Sequence, residues 1–399
     1  MEVKKSIEAH VRILASDIGP RGTGTAGEKK AADYVSDCLN QWGIPYERLT
    51  CRTIHSMNHY PLIIDAMGLL AIILYPLGGS ITRWLAALLA LLVAPFMALT
   101  IRTSVNPLRI FLPKVNSPSV LGKIEPLGEV HHQVVLLAHL DSNKCRLTWK
   151  PERLRSLEPL TYVTLLVQAF FGVLYLVGAI TGLRWSIWAL SWLPGAFMVA
   201  MVITLVLDDR TPYSPGANDN ASSVGVVLEV AQELCQEALA STRVWLAFTG
   251  AEETDHFGLR SILRARSPEM RAHPQWMREA LFIDLEGVGA GDLVYVTRHG
   301  IGLHYSPDPE LLEMAKKVSW EHPEWEMRGE KMTMSEEVST LTHLGYRAVC
   351  ICGYDRQTHA LPQWHQPDDI YENLDADSLL RARNYVRALL QAIDQKKSI

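Results

Sequence analysis

The sequence predicts an α/β fold whose central sheet is mostly parallel, though mixed, and is covered by helices on both faces. Four short apolar segments, 134–140, 243–248, 281–285 and 348–352, alternate with segments of helical periodicity. Nearly continuous apolar runs of this length are typical of strands that are buried on both faces of a parallel sheet. Polar and ionisable residues follow each run, and ligands of such sheets bind beyond the carboxyl ends of the strands.

The amino-terminal part of the chain is predicted to form two helices and a strand. Ile7, Val11 and Leu14 share one helical face, and residues 31–42 form a second helical pattern. A Gly-Pro-Arg-Gly-Thr-Gly segment separates these two helices, because glycine and proline interrupt helical structure. Residues 44–53 are then predicted as a strand.

A first apolar block, residues 61–103, is predicted to form a transmembrane hairpin. Its two spans, 62–77 and 84–101, are each near the ~17–20 residues that cross a bilayer, and a short glycine-rich turn joins them. The alternative is a pair of buried core helices. An acidic side chain facing lipid is costly, so we expect Asp65 to be buried or to lie at the interface.

A second apolar block, residues 158–207, gives the stronger hairpin prediction. Its spans, 160–181 and 185–207, carry no charged residue and are joined by a three-residue turn. Tryptophans gather at one end of the second span, as in an interfacial aromatic belt: Trp185, Trp188 and Trp192. The chain is therefore predicted to be a multi-pass membrane protein with four spans, and the lipid bilayer is one of its partners.

Two hairpins leave the polar segments 1–60, 104–157 and 208–399 on one side of the membrane, where they are predicted to form one domain. Basic residues are concentrated near the domain side of the spans: Arg102, Arg109, Lys114, Lys144, Arg146, Lys150, Arg153 and Arg155. Each short turn on the far side has one arginine. The positive-inside rule then predicts that the domain is cytoplasmic.

Composition excludes some classes of protein. The formal net charge is −5 and no run of Lys or Arg occurs, so nucleic-acid binding has no electrostatic support. Six scattered cysteines without a Cys-x-x-Cys motif are typical of free thiols in a reducing compartment. Residues 1–10 are polar and do not resemble a signal peptide. The oligomeric state is left open.

The candidate site residues lie at strand ends and in polar loops. His139 and Asp141 end the first apolar run and share a face, and Glu252 and Glu253 directly follow the second. Asp284 and Glu286 share a face of the third run, and His365 lies in a loop before the helix predicted at 376–393. Asp219 lies in the polar loop that opens the helix predicted at 224–235. Backbone N–H groups and the helix dipole there would keep its carboxylate ionised and able to hold a cation.

Seven motifs together resemble those of the co-catalytic zinc aminopeptidase family, a group that includes glutamate carboxypeptidases, glutaminyl cyclases and membrane-bound metallopeptidases. They occur in the order of the family: Gly-Pro-Arg-Gly-Thr-Gly at 19–24, Ala-His-Leu-Asp-Ser at 138–142, Gly-Ala-Asn-Asp-Asn-Ala-Ser at 216–222, Gly-Ala-Glu-Glu at 250–253, Asp-Leu-Glu-Gly-Val-Gly at 284–289, Ser-Glu-Glu at 335–337 and His-Gln-Pro-Asp-Asp at 365–369. They extend over nearly all of the polar domain.

The resemblance implies two zinc ions per chain and a role for each matching residue. His139 would bind the first zinc, and Asp219 would bridge both. Glu253 and His365 would bind the second. Glu252 would be the general base, and Asp141 would support the first metal site.

An acid on the third strand would complete the first zinc site, and the motif allows two alignments. Aligning Gly289 with the glycine of the family selects Glu286, which we prefer because it is nearer the carboxyl end of the strand. Aligning Gly287 selects Asp284. Two departures from the family pattern stand out: the segment after Glu253 is longer than usual, and Ser-Glu-Glu replaces Ser-Asp-His, which would alter the substrate pocket.

The expected activity is hydrolysis of the amino-terminal peptide bond of short peptides by a zinc-activated water. The free amino group of the peptide would coordinate one metal ion. A carboxypeptidase, a glutaminyl cyclase-like enzyme and a non-catalytic membrane scaffold with a peptidase fold are the alternatives. Cyclases of this group use one zinc, and a scaffold needs none, so metal stoichiometry separates these hypotheses.

Overall fold

In the computed structural model, which describes residues 2–102, 105–265 and 278–396, a mixed sheet of eight strands forms the centre of the polar domain. The strands are β1 Tyr46–Thr53, β2 Val115–Ile124, β3 His132–His139, β4 Thr242–Thr249, β5 Leu281–Glu286, β6 Asp292–Arg298, β7 Arg328–Lys331 and β8 Arg347–Tyr354. Their order across the sheet is β1-β2-β4-β3-β5-β8-β6-β7.

The four central strands, β4, β3, β5 and β8, run parallel to one another. Antiparallel pairing occurs on either side of them, between β1 and β2, β2 and β4, and β6 and β8. The predicted mostly parallel, mixed sheet is thus confirmed. All residues of β4 and β5 are buried, which explains why these strands are continuous apolar runs in the sequence.

Helices cover both faces of the sheet. The helices of the polar domain are α1 Glu2–Arg12, α2 Ala26–Gln41, α5 Pro151–Leu154, α8 Ser223–Gln236, α9 Phe257–Ala265, α10 Pro309–Glu321, α11 Glu337–His343 and α12 Ala376–Asp394. Helices α1, α2, α8, α10 and α12 pack on one face, and α9 and α11 pack on the other. Val134 and Leu136 face the first group, whereas Val135 and Leu137 face the second, as the two-residue period of a strand requires.

Four apolar helices form a bundle that emerges from the sheet domain. They are α3 His59–Leu74, α4 Ser80–Ile101, α6 Leu157–Thr181 and α7 Trp185–Asp208. In the described part of the chain, α4, α6 and α7 are long and apolar enough to cross a membrane. The first expected span, 62–77, is instead the 16-residue helix α3, because the chain leaves the helix at Tyr75. Three candidate spans are therefore found, and the expectation of four spans is not confirmed.

The turns of the two apolar hairpins lie at the same end of the bundle. The Tyr75 hydroxyl donates to the carbonyl of Leu183 at 2.9 Å, and the Arg83 guanidinium donates to the carbonyl of Gly182 at 3.0 Å. Inside the bundle, Asp65 is 1% exposed and accepts a hydrogen bond from the Gln168 amide at 3.1 Å. The other ends of all four helices therefore face the sheet domain.

Candidate metal centre and active site

The predicted site residues meet at the carboxyl edge of the parallel strands. His139 is the last residue of β3, and Glu286 is the last residue of β5. Glu252 and Glu253 follow the end of β4, which pairs beside β3 so that His139 lies opposite Thr249. Parallel strands end at one edge of a sheet, so three separate parts of the chain deliver their ionisable side chains to one place.

A first group of ligand atoms surrounds the His139 imidazole. Its Nε2 lies 3.1 Å from Asp219 Oδ1 and 3.3 Å from Glu286 Oε2. His139, Asp219 and Glu286 are all less than 5% exposed. Imidazole nitrogen and carboxylate oxygen are ligands that zinc prefers, so these three side chains form one candidate metal site.

A second group surrounds the His365 imidazole. Its Nε2 lies 3.4 Å from Asp219 Oδ2 and 3.2 Å from Glu253 Oε2. The Asn143 amide donates to the same Glu253 oxygen at 2.6 Å, which fixes the orientation of that carboxylate. The two oxygens of Asp219 are thus divided between the two groups, one facing each histidine.

The chemistry of this set fits bound cations. One ligand atom from each of His139, Asp219 and Glu253 lies within 4.8 Å of the others. Glu253 Oε1 and Glu286 Oε1 are buried without a hydrogen-bond partner. Buried carboxylates of this kind require a cation or a pairing group, because an uncompensated buried charge is strongly unfavourable. The site therefore has the donors and the negative charge that metal ions need.

The tautomer of His139 follows from its second ring nitrogen. Nδ1 lies 2.9 Å from the backbone carbonyl of Asp141, which can only accept, so Nδ1 carries the hydrogen and Nε2 faces the carboxylates. Burial alone would lower the pKa of His139, but the carboxylates of Glu286 and Glu252 outweigh burial and hold it well above its usual value. The imidazole therefore lies where the surroundings favour positive charge.

Asp141 orders the loop after β4 rather than facing the ligands directly. Its Oδ1 accepts from the backbone N–H of Glu252 at 3.1 Å, and its Oδ2 accepts from that of Glu253 at 3.3 Å and from the Thr23 hydroxyl at 2.7 Å. Its Oδ1 is 3.8 Å from His139 Nδ1. Asp141 therefore links the His139 strand to the backbone that carries both glutamates.

The turn Ala217–Ser222, which carries Asp219, is held by hydrogen bonds with two other segments. Asp369 accepts from the backbone N–H groups of Asn218 and Asp219 at 2.5 and 3.2 Å, and burial raises its pKa to about 8. The Asn220 amide donates to the carbonyl of Leu285 at 2.8 Å. The polar Asn-Asp-Asn motif therefore positions Asp219 relative to the strand that ends in Glu286.

Arg21 is a buried guanidinium that joins the amino-terminal motif to the site. It is 1% exposed and donates to the carbonyls of Leu140, Pro215 and Gly216 at 2.9, 2.8 and 2.6 Å. Gly216 has φ +66°, and a Cβ there would lie 2.8 Å from the guanidinium, so glycine is required at this position. Arg21 thus fixes the ends of the two segments that carry His139 and Asp219.

Glu252 lies beside both ligand groups without being central to either. Its Oε2 is 4.0 Å from His139 Nε2, and its Oε1 is 3.3 Å from His256 Nε2. Burial raises the pKa of Glu252 well above its usual value. Burial also lowers the pKa of His256 to about 3, so this imidazole is neutral, and its Nδ1 lies 2.8 Å from the Thr340 hydroxyl.

Asp284, the alternative to Glu286, lies farther back along β5. Both of its carboxylate oxygens are buried without a hydrogen-bond partner, and burial raises its pKa well above its usual value, with a further contribution from Glu286. The geometry thus favours Glu286 beside His139. The assignment of ligand roles remains a prediction.

Three residues at the site could not be assigned a role from the sequence. Asn143, His256 and Arg21 touch or position the candidate ligands, but none was assigned a role from its residue type. His256 lies in the segment after Glu253 that is longer than the family pattern, and that length was the available signal. Arg21 lies in the Gly-Pro-Arg-Gly-Thr-Gly motif, which the resemblance included without a function.

The fold and the site together define a zinc-exopeptidase-like protein. The structure is similar to a glutaminyl cyclase from Porphyromonas gingivalis, with a TM-score of 0.58 and 15% identity over 97% of each chain. It is similar to a Zn-dependent exopeptidase from Parabacteroides distasonis, with a TM-score of 0.56 and 16% identity over 98% of each chain. It is also similar to BSAP, a zinc aminopeptidase from Bacillus subtilis, with a TM-score of 0.56 and 14% identity over 99% of this chain and 97% of that chain.

The carboxyl-terminal part of the chain matches a family model. Residues 207–390 match the model of Peptidase family M28, and this segment contains the candidate ligands other than His139. With the fold and the motifs, this match supports the co-catalytic zinc exopeptidase family that the resemblance predicted. No curated protein sequence matches the chain.

Proposed function

We propose that the protein is a membrane-anchored zinc aminopeptidase that removes the amino-terminal residue of peptides. The observation that supports this proposal best is the division of Asp219 between two histidine groups, with Oδ1 near His139 and Oδ2 near His365. A carboxylate placed between two sets of donors suits a pair of metal ions that share one bridging ligand.

The five candidate ligands would be divided between two zinc ions, with Asp219 shared by both. His139, Asp219 and Glu286 would bind the first ion, and His365, Asp219 and Glu253 would bind the second. Zinc supplies Lewis acidity in such a site, which polarises the scissile carbonyl and makes water a better nucleophile. Asp141 would keep the His139 imidazole in the tautomer whose Nε2 is free to bind metal.

Glu252 would act as the general base. Its Oε2 is 4.0 Å from His139 Nε2, farther than the oxygens of Asp219 and Glu286, so it would contact a water bound at the first ligand group rather than the metal ion itself. It would accept the proton of the attacking water and return it to the leaving amine. The neutral His256 imidazole, 3.3 Å away, would orient the Glu252 carboxylate by donating from Nε2.

The charge of the cavity favours an amino terminus over a carboxyl terminus. Glu336 lines the cavity together with the candidate ligands and Glu252. Arg146 also lines it, but its Nε donates to the Asn143 amide oxygen at 3.0 Å and its Nη1 lies 3.7 Å from Asp209. Glu252 and Glu336, which are not assigned as zinc ligands, would attract the ammonium group of a substrate.

Replacing the base tests the proposal most simply. Glu252→Gln should lower kcat for an amino acid amide by about 10²–10⁴-fold while the zinc content stays at the wild-type value. The same amide with an acetylated amino group serves as the matched substrate control and should not be cleaved. Full activity of Glu252→Gln would overturn the assigned mechanism. Cleavage from the carboxyl end, or loss of ammonia from a glutaminyl peptide, would assign a different reaction to the same fold.

We also propose that the bundle spans the membrane with the sheet domain on the cytoplasmic side. Support comes from the three long apolar helices, the docking of α3 among them, and the basic residues near the domain side. Protease added outside sealed cells should leave the domain intact. Cleavage of the domain without permeabilisation would place it on the opposite side.

A further inference from the structure

The ends of all four apolar helices line the cavity that contains the candidate metal ligands. This cavity has a volume of about 360 Å³. The helix residues that contribute to it are Pro61, Thr100, Ile101, Thr161 and Leu205, and Met57 precedes the first helix. One wall of the site is therefore built from the bundle rather than from the sheet domain.

The contributing residues lie within the terminal turns of the helices. Ile101 is the last residue of α4, and Leu205 is three residues from the end of α7. At a rise of ~1.5 Å per residue, each is within about 5 Å of the end of its helix. If the bundle crosses a bilayer, this wall lies where the hydrocarbon region meets the headgroups.

The two sides of the cavity have opposite chemistry. On the bundle side, Met57, Pro61, Ile101 and Leu205 provide apolar surface alongside Asn58, Thr100 and Thr161, whereas the strand-end side carries the buried carboxylates. Next to this wall the bundle exposes further apolar side chains: Leu160, Val163, Leu166, Ile203 and Leu207. The apolar surface of the cavity therefore adjoins the apolar surface that faces lipid.

We propose that the substrates are amphipathic peptides bound at the bilayer surface, whose free amino end enters the acidic side of the cavity while a large apolar first residue packs against the helix ends. This inference rests on the proposed aminopeptidase function and adds the substrate class. The helices then do more than anchor the enzyme: they form the surface that recognises the first side chain.

Two neighbouring leucines of α7 provide a matched test. Leu205 lines the cavity and is 6% exposed, whereas Leu207 is 46% exposed and does not line it. Leu205→Asn should lower kcat/KM for a leucyl peptide carrying a hexadecyl amide by about tenfold. Loss of apolar contact with a substrate side chain typically lowers kcat/KM by roughly this factor or more. Leu207→Asn should change it by less than twofold. Both enzymes are assayed after reconstitution into phosphatidylcholine vesicles.

Two further comparisons separate the possible failures. Both variants should keep the wild-type zinc content and unfolding temperature, which shows that Leu205→Asn is folded, and Leu205→Asn should lose less activity on an alanyl peptide than on the leucyl peptide. In wild type, the leucyl peptide with the hexadecyl amide, bound to vesicles, should have a higher kcat/KM than the same peptide with a simple amide in solution. The ratio of these two kcat/KM values should fall in Leu205→Asn. Equal effects of the two substitutions, or hydrolysis of the free peptide alone, would overturn the inference and leave the proposed function standing. Hydrolysis of neither peptide would overturn the proposed function itself.

Discussion

At the scale of single residues, the site is defined by which atoms of each side chain remain free. His139 gives Nδ1 to the Asp141 carbonyl and keeps Nε2 for the carboxylates. Asp219 offers one oxygen to each histidine. Strand periodicity could predict that Asp284 and Glu286 share a face, but it could not choose between them, because both satisfy the same two-residue period.

Paired substitutions on β5 distinguish the two acids. Glu286→Ala removes a ligand beside His139, so we expect zinc content to fall by about one ion per chain and kcat to fall by about 10²-fold or more. Asp284→Asn changes a buried carboxyl without a hydrogen-bond partner, and zinc content should stay at the wild-type value. Elemental analysis of both proteins decides the assignment, and the reverse pattern would select Asp284.

Arg21 allows a prediction about stability. Arg21→Met leaves the carbonyls of Leu140, Pro215 and Gly216 without their donor, so we expect thermal unfolding to reveal a loss of about 3 kcal/mol or more. Arg12, the last residue of α1, has an exposed side chain, and Arg12→Met should change stability by less than about 0.5 kcal/mol. Similar unfolding temperatures for the two variants would show that the buried guanidinium is dispensable.

His10 gives a pH dependence whose sign follows from burial. Burial lowers its pKa from 6.5 to about 4, and its Nδ1 lies 2.6 Å from the Tyr34 hydroxyl. Between these pH values the unfolded chain binds a proton that the folded chain excludes. Stability is therefore fully present above about pH 6.5 and falls toward pH 4, by roughly 3 kcal/mol at most.

Replacing this histidine should weaken the acid sensitivity. In His10→Gln the side chain is neutral at every pH, so the difference in unfolding temperature between pH 7.5 and pH 4.5 should be smaller than in wild type. His131 is exposed, and His131→Gln serves as the control that keeps the full difference. An unchanged difference in His10→Gln would assign the acid sensitivity to other groups.

At the scale of elements, the sequence predicted the four central strands and β1, and it missed β2, β6 and β7. β4, β5 and β8 extend their predicted apolar segments by one to three residues, whereas β3 begins two residues before its predicted segment and ends one residue before the end of that segment. β2 contains Pro118 and Gly122 and several serines, so no strand period is visible in it. The four-residue strand β7 is polar and lies at the sheet edge, where burial does not select apolar residues.

Contacts between elements that are distant in the chain could not be predicted from the sequence either. The loop after β4 is held from the bundle, because the Tyr60 hydroxyl of α3 donates to the buried carboxylate of Asp255. On its other side, the Thr53 hydroxyl donates to the carbonyl of Thr254 at 3.1 Å. The extra length of this loop in the sequence is thus explained by its contact with an apolar helix, which no local pattern encodes.

The Tyr60–Asp255 contact predicts coupling between the bundle and the catalytic loop. Tyr60→Phe should lower kcat by about tenfold without loss of zinc, because the loop carrying Glu252 is less well held. Tyr75→Phe is the same chemical change at the far end of the bundle, where the hydroxyl contacts Leu183, and it should leave kcat unchanged. Steady-state kinetics on both variants measure the difference. Equal kcat in Tyr60→Phe and wild type would show that the loop needs no support from α3.

At the scale of the whole molecule, two pairs of apolar helices inserted into an α/β domain cover the edge of the sheet that carries the candidate ligands. The sheet domain supplies the candidate ligands, and the bundle supplies the facing wall of the cavity. The alternation of short apolar segments with helical segments predicted the α/β domain. The two long apolar blocks predicted the helices of the bundle. How the two fit together could not be predicted, since residues as far apart in the sequence as Met57 and His365 meet in the cavity.

The zinc content of the detergent-purified protein, measured by elemental mass spectrometry, tests the central claim most directly. The account predicts close to two zinc ions per chain, with a large fall in Asp219→Ala because the shared carboxylate serves both ions. A protein that binds no zinc when zinc is supplied, or whose zinc content is unaffected by Asp219→Ala, would contradict the proposed two-zinc site.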